Sequence, residues 1–140
     1  MVTVYLAGPL FSKAELDYNK TIQQMLLNMG FQVFFPQEDA NDNETKRHDQ
    51  HQSAIFQSCL HGLKKSDIVV AVLDGTDVDS GTAWELGYAY AENKPIIGIR
   101  TDFRIHTPNE KVNLMIQETL KAFVDNLDDL KKVMMGYLIL

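Results

Sequence analysis

Cysteine is almost absent from this sequence: Cys59 is the only one among 140 residues. A single thiol cannot form an internal disulfide, and it leaves no cysteine-rich metal framework. Four histidines are present, and the three-residue spacing of His48 and His51 would suit two metal ligands on one helix face. These two histidines lie in a strongly polar stretch, so we favour a solvated turn and expect no metal site.

Long apolar runs are also missing, although 45% of the residues are hydrophobic. No window approaches the ~18 uninterrupted apolar residues that a membrane span requires. Residues 1–6 enter a strand-like pattern without a basic leader or an apolar signal core. We therefore expect a soluble protein with no export signal, and a cytoplasmic location as the default.

Runs of basic residues are the third absence. Lysine and arginine together number 13 against 19 acidic residues, which gives a formal net charge of −6. Proteins that bind nucleic-acid polymers usually neutralise the phosphates with clustered lysine and arginine. We therefore expect no nucleic-acid polymer as a partner, and a small neutral or cationic ligand fits the charge better.

Short apolar runs alternate with helix-like segments along the chain. Five runs are typical of strands: 3–7, 31–35, 67–73, 95–100 and 120–124. Helices are predicted from Ser12, with a capping box to Glu15 and a stop at Gly30, and over 52–63, 82–92 and 126–135, while 111–119 follows a polar loop. This alternation predicts one domain over 1–140, an α/β Rossmann-like or flavodoxin-like fold with a five-stranded parallel sheet and helices on both faces.

Three loops leave the carboxyl ends of predicted strands: 8–12, 37–50 and 74–82. Ligands of such sheets bind beyond these ends, where the strand order reverses. The polar segment 37–50 has the composition of a mobile loop, and loops of this length often cover a site. We therefore expect the site to be built from these three segments.

Two acidic residues stand close to this predicted crevice, Asp79 in the third loop and Glu85 in the next helix. A tight turn at Gly81 and small residues at Ala83 and Gly87 would bring that helix close to the sheet. A carboxylate in a partly dry crevice can attack an electrophilic sugar carbon and hold it covalently. The structural alternative is that Glu85 only stabilises the start of its helix.

The motif around Glu85 favours the chemical interpretation. The segment 79–89, DSGTAWELGYA, resembles the signature of the nucleoside 2-deoxyribosyltransferase family, and 5–11, YLAGPLF, resembles the first strand and turn of that family. Further similarity lies at 66–75, SDIVVAVLDG, and at 113–115, NLM. The matches occur in family order and extend from residue 3 to about 135.

The resemblance implies three catalytic roles. Glu85 matches the family's nucleophile, which attacks C1′ from the face opposite the base, so that a second base restores the β configuration. Tyr5 matches a tyrosine whose hydroxyl orients that glutamate. Asp79 matches an aspartate at the 5′-hydroxyl of the sugar.

Other residues are implied in substrate binding. Phe11 matches an aromatic residue of the base pocket, and Asn113 an asparagine that reaches the 5′-hydroxyl from a neighbouring subunit. Met115 matches a methionine packed near the nucleophile, and we place the motif glycines, Gly8 and Gly81, with the same pocket. Each match has a structural alternative: Phe11, like Tyr5, as a core aromatic, Met115 as a gap-filler, and Asn113 as a turn cap.

Cys59 departs from the family pattern, because many members carry an aspartate at that position, thought to hold and protonate the base. A thiol is a weak donor and is uncharged at neutral pH unless activated. Base recognition would then fall to water, to Gln37, or to Glu38 or Asp39. The alternative, which we favour, is that Cys59 is a small buried apolar residue.

The resemblance predicts a nucleoside deoxyribosyltransferase of nucleotide salvage that acts on deoxyribonucleosides and free nucleobases without a cofactor or metal. It also predicts a homo-oligomer, a dimer or higher, with shared active sites. A related N-glycosidase of 2′-deoxynucleoside 5′-monophosphates is the first alternative, although Asp79 and the absence of arginine from the first loop disfavour a phosphate. A non-catalytic nucleotide-sensing domain is the alternative of another class.

Overall fold

The computed structural model describes residues 1–40 and 52–138, and it contains a five-stranded sheet with helices on both faces. The strands are β1 (Thr3–Ala7), β2 (Gln32–Phe34), β3 (Ile68–Val72), β4 (Ile96–Ile99) and β5 (Ala122–Val124). The helices are α1 (Lys13–Met29), α2 (Pro36–Asp39), α3 (Gln52–Lys65), α4 (Ser80–Ala91), α5 (Leu114–Gln117) and α6 (Leu127–Met135).

The sheet is entirely parallel, with the strand order β2-β1-β3-β4-β5. The chain moves outward from β1 to β2 and then crosses to the other side of β1 to form β3. The strand order therefore reverses between β1 and β3, which is where a ligand crevice opens in this class of sheet. The α/β fold predicted from the alternation of strands and helices is confirmed.

Side chains that alternate along the strands form two cores, one on each face of the sheet. On one face Val4 and Leu6 pack with residues of α1 and α6. On the other face Tyr5 and Ala7 pack with Leu63 of α3 and with residues of α4. All five residues of β3 are buried, as expected for a strand covered on both faces.

Local sequence signals explain where the helices begin and end. The capping box is present, because the Ser12 hydroxyl accepts from the Glu15 amide and the Glu15 carboxylate accepts from the Ser12 amide. Gly30 ends α1 with a φ of 106°, a left-handed conformation that glycine adopts without steric cost. Asn126 caps α6 through the Asp129 amide, as predicted.

Several predicted boundaries differ from the structure. The segment 37–50 does not begin as a loop, because Pro36–Asp39 forms the short helix α2, for which proline supplies a suitable φ at the first position. Residues 41–50, and with them His48, lie outside the described part of the chain, as does His51. Among the residues described, no cluster of three or more candidate metal ligands occurs, and no helix is long and apolar enough to cross a membrane.

The glycine that brings a helix close to the sheet is also not the predicted one. Gly87 is exposed, and a Cβ built on it would meet nothing within 4 Å. Gly62 of α3 is buried, and its Cβ would lie 2.6 Å from atoms of the Phe34 ring. Position 62 therefore sets how closely α3 approaches β2.

Replacing Gly62 tests this contact. We expect Gly62→Ala to lower the free energy of unfolding by about 1–3 kcal/mol, because the added methyl group forces Phe34 or α3 to move. The matched control is Gly87→Ala, which should raise stability by up to about 1 kcal/mol because alanine favours an exposed helix position. Urea unfolding of both variants measures the difference, and a Gly62→Ala variant as stable as the control would contradict the packing argument.

Candidate active site

The central feature of the site is a hydrogen bond between β1 and α4. The Tyr5 hydroxyl donates to the carboxylate of Glu85, which lies in the second turn of α4. Tyr5 is completely buried, and its ring stacks on Phe34 with 5.4 Å between centroids and 7° between planes. The packed ring therefore holds the hydroxyl in place, and the hydroxyl in turn holds the carboxylate.

The surroundings of Glu85 change its acidity. Burial raises the pKa of this carboxyl group, and the nearby negative charge of Asp79 raises it further, whereas the hydrogen bond from Tyr5 lowers it. The pKa of Glu85 reaches about 7. A carboxyl group with this pKa is ionised in a large fraction of molecules at neutral pH. Because it is partly buried, fewer water molecules must be removed before it reacts.

Glu85 opens onto a pocket of about 530 Å³ at the carboxyl ends of the strands. The pocket brings together six of the residues predicted from sequence: Gly8, Phe11, Cys59, Asp79, Gly81 and Glu85. Two of the three predicted loops, 8–12 and 74–82, therefore meet here. The third contributes only its preceding residue, Pro36, among the residues that the structure describes.

Asp79 has a structural role in addition to its place in the pocket. It is the N-cap of α4, and its Oδ2 accepts hydrogen bonds from the Thr82 amide and hydroxyl, both at 3.0 Å. Gly81 lies in the first turn of α4 and is not at the tight turn predicted for it. The glycine of this connection with a positive φ, 115°, is Gly75.

Tyr5 and Phe11, for which a core role was the alternative, have different environments. Tyr5 is a core residue, and its hydroxyl also donates to Glu85. The Phe11 side chain is 80% exposed at the edge of the pocket. Burial in the core therefore does not explain Phe11.

The three α2 residues considered as partners of the base are engaged elsewhere. The side-chain amide of Gln37 donates to the Leu16 carbonyl at 3.4 Å. Glu38 accepts from Lys20 at 3.0 Å, and the Asp39 carboxylate accepts from the Phe35 amide at 2.6 Å. None of the three lines the pocket, because their hydrogen bonds tie them to α1 and to the start of α2.

Cys59 faces the pocket from α3 and is partly buried. Burial raises the pKa of its thiol and the negative charge of Glu85 raises it further, whereas the Tyr5 hydroxyl lowers it. Cys59 is therefore a neutral group at physiological pH, close to the hydrogen-bonded side chains of Tyr5 and Glu85. Its environment is neither the purely apolar core that we favoured nor that of a charged partner for a base.

Asn113 and Met115 lie outside this pocket. Asn113 is the N-cap of α5, and its side-chain oxygen accepts from the Met115 amide at 2.8 Å. Met115 is 73% exposed. Within one chain, therefore, neither residue meets Glu85, and Asn113 has the capping role that was its structural alternative.

The prediction from sequence missed seven further residues that line the pocket: Leu10, Pro36, Phe56, Leu60, Leu63, Ser80 and Trp84. A signal for three of them was present. Phe56, Leu60 and Leu63 are spaced with Cys59 at intervals of three and four residues, which places them on one face of α3. The same spacing is typical of a helix face that packs in the core, so the sequence alone does not separate the two cases.

Comparison with known proteins identifies the family and the fold of this chain. A family model described as nucleoside 2-deoxyribosyltransferase matches residues 4–125. A 2-deoxyribosyltransferase from Bacillus psychrosaccharolyticus has 28% sequence identity and a TM-score of 0.82, with 93% of this chain and 90% of that chain covered. A conserved protein from Enterococcus faecalis V583 has 29% identity and a TM-score of 0.81, with 99% of both chains covered.

A relative by sequence is an uncharacterized protein of Ureaplasma parvum serovar 3. It is 30% identical over 125 residues, which are 79% of this chain and 77% of the relative. The family match extends from β1 through β5 and therefore includes both Tyr5 and Glu85. The chain belongs to the nucleoside 2-deoxyribosyltransferase family.

Proposed function

We propose that this protein exchanges the base of a 2′-deoxyribonucleoside for a free nucleobase, with Glu85 as the nucleophile. The observation that carries the proposal is the hydrogen bond from the buried Tyr5 hydroxyl to Glu85, a partly buried carboxylate that lines a pocket at the reversal of strand order. The Bacillus relative is itself a 2-deoxyribosyltransferase. We expect no cofactor or metal to take part, because the sugar supplies the electrophile as the base leaves.

The reaction has two displacements at C1′. In the first, a Glu85 oxygen forms a bond to C1′ while the bond to the base nitrogen breaks; the base leaves with the electron pair and takes a proton from water. In the second, a nitrogen of the incoming base attacks C1′ and gives its proton to water, and Glu85 leaves as a carboxylate. Two inversions give net retention.

Tyr5 supports both displacements as a positioning residue. Its hydroxyl fixes one side of the Glu85 carboxylate and lowers the pKa of that group against the effect of burial. The carboxylate therefore reaches its reactive form near pH 7 without being exposed to bulk water. A nucleophile that is already oriented needs little reorganisation in the transition state.

We assign Asp79 to the 5′-hydroxyl end of the sugar. It lies in the same pocket as Glu85, and its negative charge acts on Glu85. Two carboxylates in one pocket accept hydrogen bonds from sugar hydroxyls and repel a phosphate, so we favour nucleosides over the monophosphates of the N-glycosidase alternative. A sensing domain would not need a nucleophile with a raised pKa.

We also propose that the active site is completed by a second copy of the chain. Asn113 and Met115 are exposed at the start of α5, so a neighbouring subunit can contact them. This assembly, and a role in cytoplasmic nucleotide salvage, remain predictions.

The role of Glu85 is tested by Glu85→Gln, which keeps the size of the side chain and removes the nucleophile. We expect base exchange between deoxyinosine and adenine, followed by chromatography, to fall by about a thousandfold or more. Glu92→Gln is the matched control, because Glu92 is an exposed residue at the end of the same helix. Full exchange activity in folded Glu85→Gln would overturn the mechanism.

The pH dependence follows from the raised pKa of Glu85. Because the ionised form is the nucleophile, kcat/KM should fall roughly tenfold per pH unit below about 7. Tyr5→Phe should move this midpoint upward, since it removes the hydrogen bond that lowers the pKa. A wild-type midpoint near the ordinary value of 4.5, or a downward shift in Tyr5→Phe, would refute this account.

Substrate choice tests Asp79. We expect deoxynucleosides to react at least a hundredfold faster than their 5′-monophosphates, about the effect of one repelled charge in a partly buried site. Asp79→Asn retains a cap acceptor for α4 while removing the charge, so it should narrow this ratio. Turnover of a monophosphate by the wild type at the nucleoside rate would count against the assignment.

Shared sites are tested by mixing two variants. Glu85→Gln and Asn113→Ala subunits should together recover more activity than the sum of the separate samples, because some pockets in the mixed oligomer contain both native residues. Static light scattering should give at least twice the mass of one chain. A monomeric mass at micromolar concentration would exclude shared sites.

A further inference from the structure

Two aromatic side chains of the pocket have no part in the chemistry described above. Phe56 of α3 is 46% exposed and Trp84 of α4 is 51% exposed, and both line the pocket that contains Glu85. Their rings meet edge to face, with 5.6 Å between centroids and 68° between planes. We refer to Phe56 and Trp84 together as the aromatic wall.

The aromatic wall is supported from behind. The Trp84 ring stacks on Tyr88, one helical turn later, with 5.8 Å between centroids and 11° between planes. The indole is therefore held in one orientation while about half of its surface stays uncovered. Ligands typically contact large, rigid apolar side chains that line a pocket in this way.

In the proposed reaction, the charged side chains of the pocket contact the sugar. Among the residues described, the only acidic or basic side chains lining it are Asp79 and Glu85. Under the proposed function one is at the 5′-hydroxyl and the other at C1′. The described surface left for the base is largely apolar: Leu60 and Leu63 beside the aromatic wall, and the neutral thiol of Cys59.

We propose that the aromatic wall is the surface on which the nucleobase packs, and that contact area is its main means of discrimination, so that purine deoxynucleosides bind more tightly than pyrimidine deoxynucleosides. This inference rests on the proposed function, because it takes the base to be the part of the substrate beyond Glu85. Every base has a π face, so packing of this kind accepts both classes and favours the larger ring.

Binding to the Glu85→Gln protein tests the proposal without turnover. Trp84 is the only tryptophan, so its fluorescence reports occupancy of the pocket directly. We expect deoxyadenosine and deoxyinosine to quench it with dissociation constants several-fold below those of thymidine and deoxycytidine. Contact of one base with an aromatic side chain changes affinity by roughly ten- to hundredfold, so Phe56→Leu should weaken purine binding about tenfold and narrow the purine preference.

The matched control is Tyr90→Leu. Tyr90 is 60% exposed on the same helix as Trp84 and does not line the pocket, so this variant should bind all four nucleosides as before. Trp84→Leu, measured by calorimetry because it removes the fluorophore, should behave like Phe56→Leu. Circular dichroism and thermal unfolding confirm that each variant is folded.

Two results would overturn the proposal: equal affinity for purine and pyrimidine deoxynucleosides, or unchanged purine affinity in both folded aromatic-wall variants. Failure of the proposed function has a different signature, because the wild type would then bind nucleosides without exchanging their bases. If the wild type exchanges bases and Phe56→Leu has the same KM for purine deoxynucleosides as the wild type, the proposed role of the aromatic wall is refuted while the proposed function stands.

Discussion

The hydrogen bond between Tyr5 and Glu85 is the interaction on which the rest of the site depends. It joins two residues 80 positions apart, and it connects β1 to α4, the helix that follows β3. Burial alone would keep Glu85 protonated at pH values well above those at which a glutamate usually ionises. The tyrosine hydroxyl opposes that effect without admitting water. The position of this hydroxyl depends on the stacking of the Tyr5 ring on Phe34, which in turn lies against Gly62.

The parallel sheet supplies the geometry for this interaction. Because β1 and β3 are neighbours and run in the same direction, the segments that follow them emerge at one edge. One segment contributes Gly8 and Phe11, and the other contributes Asp79 and the start of α4. The pocket therefore has carboxylates from the segment after β3, while α3 supplies a mainly apolar surface. This division matches a deoxynucleoside, which has a hydroxyl-bearing sugar and a flat base.

Much of this arrangement was predictable from sequence, for identifiable reasons. The continuous apolar run at 67–73 predicts a strand buried on both faces, and Ser12 with Glu15 predicts a helix start, because both signals are local. The contacts of Gln37, Glu38 and Asp39 were not predictable, since polar residues after a proline fit a loop as well as a short helix. The choice between Gly62 and Gly87 depends on how each helix is rotated against the sheet. Phe56 was missed because its spacing is also that of a core residue.

A covalent bond between Glu85 and the sugar is detectable by mass spectrometry of the intact protein. The protein is mixed with a purine deoxynucleoside, without an acceptor base, and is quenched in acid. We expect the added mass of one deoxyribosyl group, located by proteolysis on the peptide containing Glu85 and released when a free base is supplied before quenching. Base exchange with no adduct at any time point, or an adduct on a peptide that lacks Glu85, would contradict this mechanism.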